Sequence, residues 1–269
     1  MESYVSLNKK SNLIKRKQTN NQIYVQEKKM NTIKLTNKGN TKIVAHRGVS
    51  GLETENTAAA FLAAGNRTHY GIETDIWRTL DGNYLCNHDG RTGRICDVDL
   101  VIEQSSFADL RALKLRDKDG MTDRAELVIP TPYEYFKICK KYEKLAVPEL
   151  KSNFTLEEIR EITDIVRELD YIDSTCFIAF NIANLDLVKE LYPDQKCQFL
   201  TSKYSDDLPE MLAERNMGLD IYYKELTEER IAALHAKGVE VNCWTVDDPD
   251  MAEQLIGWGI DYITSNILE

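Results

Sequence analysis

The sequence contains no stretch of eighteen consecutive apolar residues, so it offers no candidate for a membrane-spanning helix. Its first forty residues hold no apolar h-region, and Lys15, Arg16 and Lys17 occupy the place where one would lie. A secretory signal is therefore not expected. The six cysteines (Cys86, Cys96, Cys139, Cys176, Cys197 and Cys243) form no Cys-x-x-Cys pair, which removes zinc-finger and dithiol readings. Without an export signal they are expected to be reduced, buried small side chains in a cytoplasmic protein. No Gly-x-Gly-x-x-Gly follows the first apolar run, so a dinucleotide-binding open sheet loses its support. Histidine is scarce, with four in 269 residues, and the position of each is informative.

Charge is abundant but segregated. Residues 1–42 carry ten Lys/Arg against two acids, a local charge of +8. The other 227 residues carry 24 against 42, a local charge of −18, and together they give the net −10. The first 41 residues, rich in Asn, Lys, Gln and Thr, read as a basic extension that adds little to a core, with Met30 an alternative start. The domain is expected over 42–269. Its acidity argues against nucleic acid as the main partner, and the basic run alone is weak evidence for one.

From Lys42 onward, short apolar runs alternate with helical patterns. Strands are predicted over 43–45, 71–77, 83–86, 145–150, 176–180, 197–200, 217–221, 239–244 and 262–264. Helices are predicted over 56–65, with Thr57 or Asn56 as its cap, and over 131–142, 156–169, 185–191, 206–215, 227–237 and 249–258. Repeated strand–helix units without a run of hairpins imply a parallel sheet covered by helices. About eight such strands fit an α/β fold of the (β/α)8 TIM-barrel type, with a doubly wound open sheet as the competitor. The stretch from about 89 to 126 fits no single strand–helix unit and reads as a small inserted subdomain after the strand ending near Cys86.

Polar residues stand where barrel strands should end. His46-Arg47-Gly48 closes the first strand, and His88-Asp89 follows the run to Cys86. Glu73 and Asp75 are two apart on one strand and share a face, and Glu149 and Lys151 repeat that spacing with an acid and a base. Charge buried without a partner is costly. Three acids (Glu73, Asp75, Glu149) aimed at one barrel mouth therefore call for a cation, and all-oxygen ligation suits Mg²⁺ or Ca²⁺ better than zinc. Trp244, ending a later strand, fits equally under the mouth or against a substrate. His69 and His235 fall on a predicted loop and a predicted helix surface and are assigned no chemistry.

These strings resemble the glycerophosphodiester phosphodiesterase family. The resemblance rests on Ile43-Val44-Ala45-His46-Arg47-Gly48, Glu55-Asn56-Thr57, Gly71-Ile72-Glu73-Thr74-Asp75, Asn87-His88-Asp89, Ile129-Pro130-Thr131-Pro132, Glu149-Leu150-Lys151, Cys243-Trp244-Thr245-Val246 and Asp261-Tyr262-Ile263-Thr264-Ser265-Asn266, in order across residues 42–266. It implies a (β/α)8 barrel with a small insertion and one divalent metal on Glu73, Asp75 and Glu149. It also implies His46 and His88 as the acid–base pair, and Arg47 and Lys151 as the groups that neutralise a phosphodiester. In the family's route a glycerol hydroxyl of the substrate attacks phosphorus, a cyclic phosphate forms, and water opens it. The sequence departs from the family pattern at Thr54, at Ala179 before Phe180-Asn181, and at Ser265-Asn266; none of these removes a proposed catalytic group.

The expected activity is metal-dependent hydrolysis of glycerophosphodiesters to sn-glycerol 3-phosphate and an alcohol, acting on a small molecule without nucleic acid or integral membrane association. A lysophospholipase D-like activity would need an apolar channel, which the charged insertion does not advertise. A non-catalytic phosphate-binding barrel would not need two acid–base groups.

Overall fold

The computed structural model describes residues 31–269, and in them strands and helices alternate along most of the chain. In chain order the elements are β1 (Lys42–Ala45), α1 (Ala58–Gly65), β2 (Gly71–Arg78), β3 (Tyr84–Cys86), α2 (Phe107–Arg111), α3 (Pro132–Lys141), β4 (Leu145–Leu150), α4 (Leu156–Glu168), β5 (Phe177–Ala179), α5 (Ile182–Leu191), β6 (Cys197–Thr201), α6 (Leu208–Glu214), β7 (Gly218–Tyr222), α7 (Glu228–His235), β8 (Val241–Trp244), α8 (Pro249–Gly257) and β9 (Tyr262–Ser265). Eight strands pair in parallel in the order β1-β9-β8-β7-β6-β5-β4-β2, and β1 also pairs with β2. The sheet thus closes on itself, and the open-sheet competitor is excluded. This is a (β/α)8 barrel. Among the described residues, no helix is long and apolar enough to cross a membrane.

Local chemistry sets the helix starts. Thr57, not Asn56, caps α1, its hydroxyl accepting from the Ala60 N–H. Capping boxes open α3 (Thr131 with Glu134, Pro132 following) and α4 (Thr155 with Glu158). Outward strand residues such as Ile43, Ile72, Leu219 and Val241 pack against the helices in the main core. Val44, Val147, Cys176, Ile178, Leu200 and Tyr262 form a separate apolar cluster. All six cysteines are free and buried.

Tyr135 ties a helix to the barrel wall. Fully buried, its hydroxyl donates to the Ile72 carbonyl (2.6 Å) and accepts from the Val147 N–H (2.8 Å), bridging α3 to β2 and β4. Tyr135→Phe strands two buried main-chain groups, so we expect it to lower the unfolding free energy by about 1–3 kcal/mol. Denaturant titration with an unchanged m-value checks this. A loss under about 0.5 kcal/mol would contradict it.

Three sequence expectations need correction. The run 83–86 is not a barrel strand: β3 lies antiparallel on the end of β2, pairing Trp77 with Leu85. The turn that folds it back uses Asp81-Gly82, with Gly82 at φ +78° and the Thr79 hydroxyl donating to Asp81 (2.6 Å). Residues 31–41 are not part of an outlying extension, because the compact unit begins at Asn31. Ile33 bridges Leu268 in parallel, the Leu35 N–H donates to the Glu269 carbonyl (2.9 Å), and Leu35 is buried in the main core. Two apolar residues sufficed for this pairing, too few for a pattern. The rest of the expected extension, residues 1–30, lies outside the described residues. His69 is buried rather than at the surface, its Nε2–H donating to the Leu268 carbonyl (3.0 Å). Burial holds that imidazole down at about 4.

Between β3 and α3 the chain builds a small core of its own from Leu85, Ile95, Ile102, Leu110, Leu115 and Leu127. Arginine–carboxylate pairs lace this region, among them Arg91–Asp99 (2.7 Å), Arg116–Asp97 (2.6 Å) and Arg124–Glu53 (2.8 Å). Thr54, one of the departures from the family pattern, donates its hydroxyl to the Arg116 carbonyl (2.8 Å) and so fastens the first barrel loop to the insertion.

Candidate active site

At the C-terminal ends of the strands a cavity of about 200 Å³ opens, lined on one side by His46, Arg47, Glu73, His88 and Glu149. The strand period puts Glu73 and Asp75 of β2 on the same inward face, with Asp75 and Glu149 as direct partners across β2 and β4. One carboxylate oxygen from each of Glu73, Asp75 and Glu149 lies within 4.8 Å of the others, and all three residues are buried.

The surrounding hydrogen bonds aim these oxygens. The Arg47 N–H donates to Glu73 Oε2 (2.7 Å), which a left-handed backbone at Arg47 (φ +53°) allows. Gly48 follows in the same region (φ +73°), where a Cβ would meet the Ala60 backbone at 2.5 Å, so only glycine fits there. Asn56, considered from sequence as a helix cap, instead donates its amide to Asp75 Oδ2 (2.7 Å) and accepts from the Thr74 hydroxyl (2.7 Å). Lys151 Nζ stands 2.9 Å from Glu149 and 3.5 Å from Asp75.

Charge balance at this cluster is uneven. Burial and the Asp75 charge push Glu73 well above the usual carboxylate range, and the same two causes raise Glu149 to about 8. Asp75, against its burial, is held low by Lys151, His88 and Arg47. Lys151, likewise against burial, is held above its ordinary value by Asp75 and Glu149. Arg47 is largely committed elsewhere, its Nη1 donating to Glu55 (2.9 Å) and its Nε 3.8 Å from Asp75. Among the described residues the buried Asp75 Oδ1 has no hydrogen-bond partner, the Lys151 ammonium standing 3.5 Å from it. Three acids sharing one free ammonium, with an orphaned buried oxygen among them, fit an all-oxygen divalent cation site.

The two histidines are held differently. His46 Nδ1 lies 2.7 Å from the Asn266 side-chain oxygen. That amide is oriented by its NH₂ donating to Asp247 (2.6 Å) and by its oxygen accepting from the Ser50 hydroxyl (2.6 Å). The amide oxygen can only accept, so Nδ1 carries the proton and the Nε2 lone pair is left free. Burial, and then the Arg47 charge, lower His46 to about 4. His88 Nδ1 instead lies 2.8 Å from Asp89, a carboxylate. Burial lowers His88 while the Asp75 charge and the Asp89 hydrogen bond oppose that shift. Asp89 accepts from Arg94 (2.5 Å), and Arg94 also grips both oxygens of Glu55 (2.7 Å each). Against burial, Arg94 and Arg47 hold Glu55 at about 2. A continuous chain, Arg47–Glu55–Arg94–Asp89–His88, thus joins the two halves of the mouth.

The chain matches the glycerophosphoryl diester phosphodiesterase family over residues 46–268. The chain belongs to that family. The matched span of this phosphodiesterase begins at His46 itself. It is 29% identical over 234 residues to the glycerophosphodiester phosphodiesterase of Caldanaerobacter subterraneus, covering 84% of this chain and 94% of the relative. Its fold is similar to that of an Oleispira antarctica phosphodiesterase in complex with the product sn-glycerol-3-phosphate (TM-score 0.78, 26% identity, 84% of this chain and 93% of that one). It is also similar to a glycerophosphodiester phosphodiesterase from Parabacteroides distasonis (TM-score 0.69, 28% identity, 84% and 93%). The protein is an enzyme of this class.

All eight residues singled out from sequence meet at this phosphodiesterase's mouth. Trp244 lines the cavity, with its ring between Phe180 (centroids 5.8 Å) and Tyr222 (5.7 Å). Sequence reasoning missed the supports: Glu55, Arg94, Asp247 and Asn266. Glu55 and Asn266 lie inside strings that carry the family resemblance, but nothing local marks Arg94 or Asp247 as partners of distant groups.

Proposed function

We propose that this enzyme hydrolyses glycerophosphodiesters to sn-glycerol 3-phosphate and an alcohol at a single divalent cation, Mg²⁺ or Ca²⁺, with His46 as base and His88 as acid in the first step. The observation that carries the reading is the pairing of two imidazoles, each with its Nδ1 engaged and its Nε2 free, with a buried three-carboxylate cluster on the same cavity. Glu73, Asp75 and Glu149 would hold the cation, which would supply positive charge to offset that of the phosphodiester. Lys151 adds a point charge, and Arg47 presents Nη2, which carries no hydrogen bond among the described residues.

The roles follow from the partners. Neutral at pH 7, His46 takes the proton from the glycerol hydroxyl next to the phosphate ester, whose oxygen then bonds to phosphorus. His88, whose imidazolium Asp89 supports, gives its proton to the leaving alcohol as the P–O bond breaks. In the second step water opens the cyclic phosphate with the roles exchanged. Tethering the nucleophile to its own electrophile removes the entropy of bringing them together.

The deciding assay incubates the protein with glycerophosphocholine and glycerophosphoethanolamine, with Mg²⁺, with Ca²⁺ and with a chelator, and measures glycerol 3-phosphate. Product in the metal arms and its loss in the chelator arm are expected. No product with any metal would overturn the reading. Residues 1–29 are proposed to be dispensable, so a chain starting at Met30 should retain activity within about twofold.

A further inference from the structure

Opposite the carboxylate cluster, the same cavity holds an acid that the chemistry above does not use. Asp220 lies on β7, between Leu200 of β6 and Asn242 of β8 in the register, and β7 sits four strands from β2 around a ring of eight. It is 2% exposed and lines the cavity. No hydrogen bond or ion pair reaches its carboxyl among the described residues, and its Oδ1 is sealed from solvent without a partner. The neighbouring polar group is already occupied: Asn242 donates to Gln198 (3.4 Å) and accepts from Thr264 (3.2 Å). The wall beside it, Ile178 and Leu200, is apolar. The indole N–H of Trp244, on the next strand, is a second buried polar group without a partner among the described residues.

A buried carboxyl left unpaired by the protein is costly unless a ligand completes it. We propose that Asp220 is a specificity-determining residue that hydrogen-bonds the free terminal hydroxyl of the substrate's glycerol moiety. This rests on the function proposed above. Glycerol bridges the cavity: its reacting hydroxyl and phosphate lie towards β1, β2 and β4, and its terminal hydroxyl points towards β7. Burial, with the Glu149 charge adding to it, pushes the Asp220 carboxyl well above the usual range. The neutral acid can both donate to a hydroxyl and accept from it.

The test compares two choline diesters, glycerophosphocholine and 2-hydroxyethyl phosphocholine, which keeps the reacting hydroxyl and lacks only the terminal CH₂OH. The wild type should prefer the glycerol diester in kcat/KM by roughly 10- to 1,000-fold. Asp220→Leu should remove most of that preference by slowing the glycerol diester, leaving the hydroxyethyl diester within about threefold. Asp220→Asn, which keeps a donor and an acceptor, should retain the preference within about fivefold. Asp220→Leu should also melt at or above the wild-type temperature, since it removes an unpaired buried carboxyl.

Equal losses on both substrates would show a structural role and overturn the proposal, as would an unchanged preference. Glycerophosphoglycerol adds a further arm. A loss in both variants on the two choline diesters that spares glycerophosphoglycerol would mean that Asp220 faces the ammonium of the leaving group, and the proposal falls. If the wild type hydrolyses none of these diesters, the proposed function falls with it. If it hydrolyses them and only the preference fails to respond, the function stands and this inference alone is lost.

Discussion

His46→Ala should lower kcat for glycerophosphocholine by roughly 10³-fold, within the 10²–10⁴ range of a removed acid–base group. The loss should persist with a substrate whose alcohol leaves easily, such as the p-nitrophenyl ester of glycerol 3-phosphate, because taking the proton from the nucleophile precedes departure in either case. His88→Ala should behave differently: a similar loss with choline as leaving group, and recovery of most of it with p-nitrophenol, which departs without protonation. Identical leaving-group responses in the two variants would sink the assignment of base and acid. The pH profile supplies an independent check. His46 titrates at about 4, so its base form persists well below 6.5. The limb of kcat/KM due to this base should lie below 6.5, with activity rising as pH rises through it. Asn266→Ala, which frees the His46 ring to change tautomer, should cost about 10- to 100-fold in kcat with little change in melting temperature, because the lost contact orients the base.

Removing the cation should have the other large effect. Asp75→Asn and Glu149→Gln should each reduce activity by at least roughly 10³-fold, and chelation of the wild type should match them. Binding is also visible without catalysis. Saturating Mg²⁺ or Ca²⁺ at about 100 times its Kd adds about 2.7 kcal/mol, which for a domain this size raises the melting temperature by about 5–10 °C. The sign of the pH effect follows from Glu149. Its folded value of about 8 stands above the ordinary 4.5 of an unfolded glutamate. Between those two pH values Glu149 binds more protons in the folded, metal-free protein than in the unfolded chain, so the stability this group contributes is lost as pH rises across that window. Cation affinity should rise over the same window, because each binding event at pH 7 displaces a proton from the cluster. Calorimetry in buffers of different ionisation enthalpy measures that proton directly. No proton release and no thermal shift would refute a metal site at these three acids.

The barrel was legible because its signals are local. Apolar runs of four to eight residues, alternation of acids two apart, and threonine caps before helical periods all lie within short windows, and β2, β4, α3 and α4 formed where those windows placed them. What was hidden depends on long separations or on a break in a rule. The antiparallel β3 broke the strand–helix rhythm, although its Asp81-Gly82 turn was visible in the string. Asn56 looked like a cap because it stands one residue before Thr57, the true one, and only the folded barrel brings Asp75 within 2.7 Å of its amide. His69 read as a surface loop because nothing near it announces that residues 267–269 and 33–35 fold over it. Asp220 is the instructive omission. An acid at an inward position of an otherwise apolar strand, Gly218-Leu219-Asp220-Ile221, breaks the binary pattern, and such breaks are expected where function overrides stability.

One contact bears on how the enzyme comes into being. His46, the proposed proton acceptor, follows the first strand of the barrel, and the amide that orients it, Asn266, follows the last, 220 positions along the chain. A nascent polypeptide on the ribosome can therefore carry both imidazoles and all three acids and still lack the group that fixes its base. The His46 tautomer that the proposed mechanism requires is fixed only once β9 has docked between β8 and β1. Turnover is thus a built-in report that the cylinder has shut, and during refolding its recovery should trail the return of secondary structure.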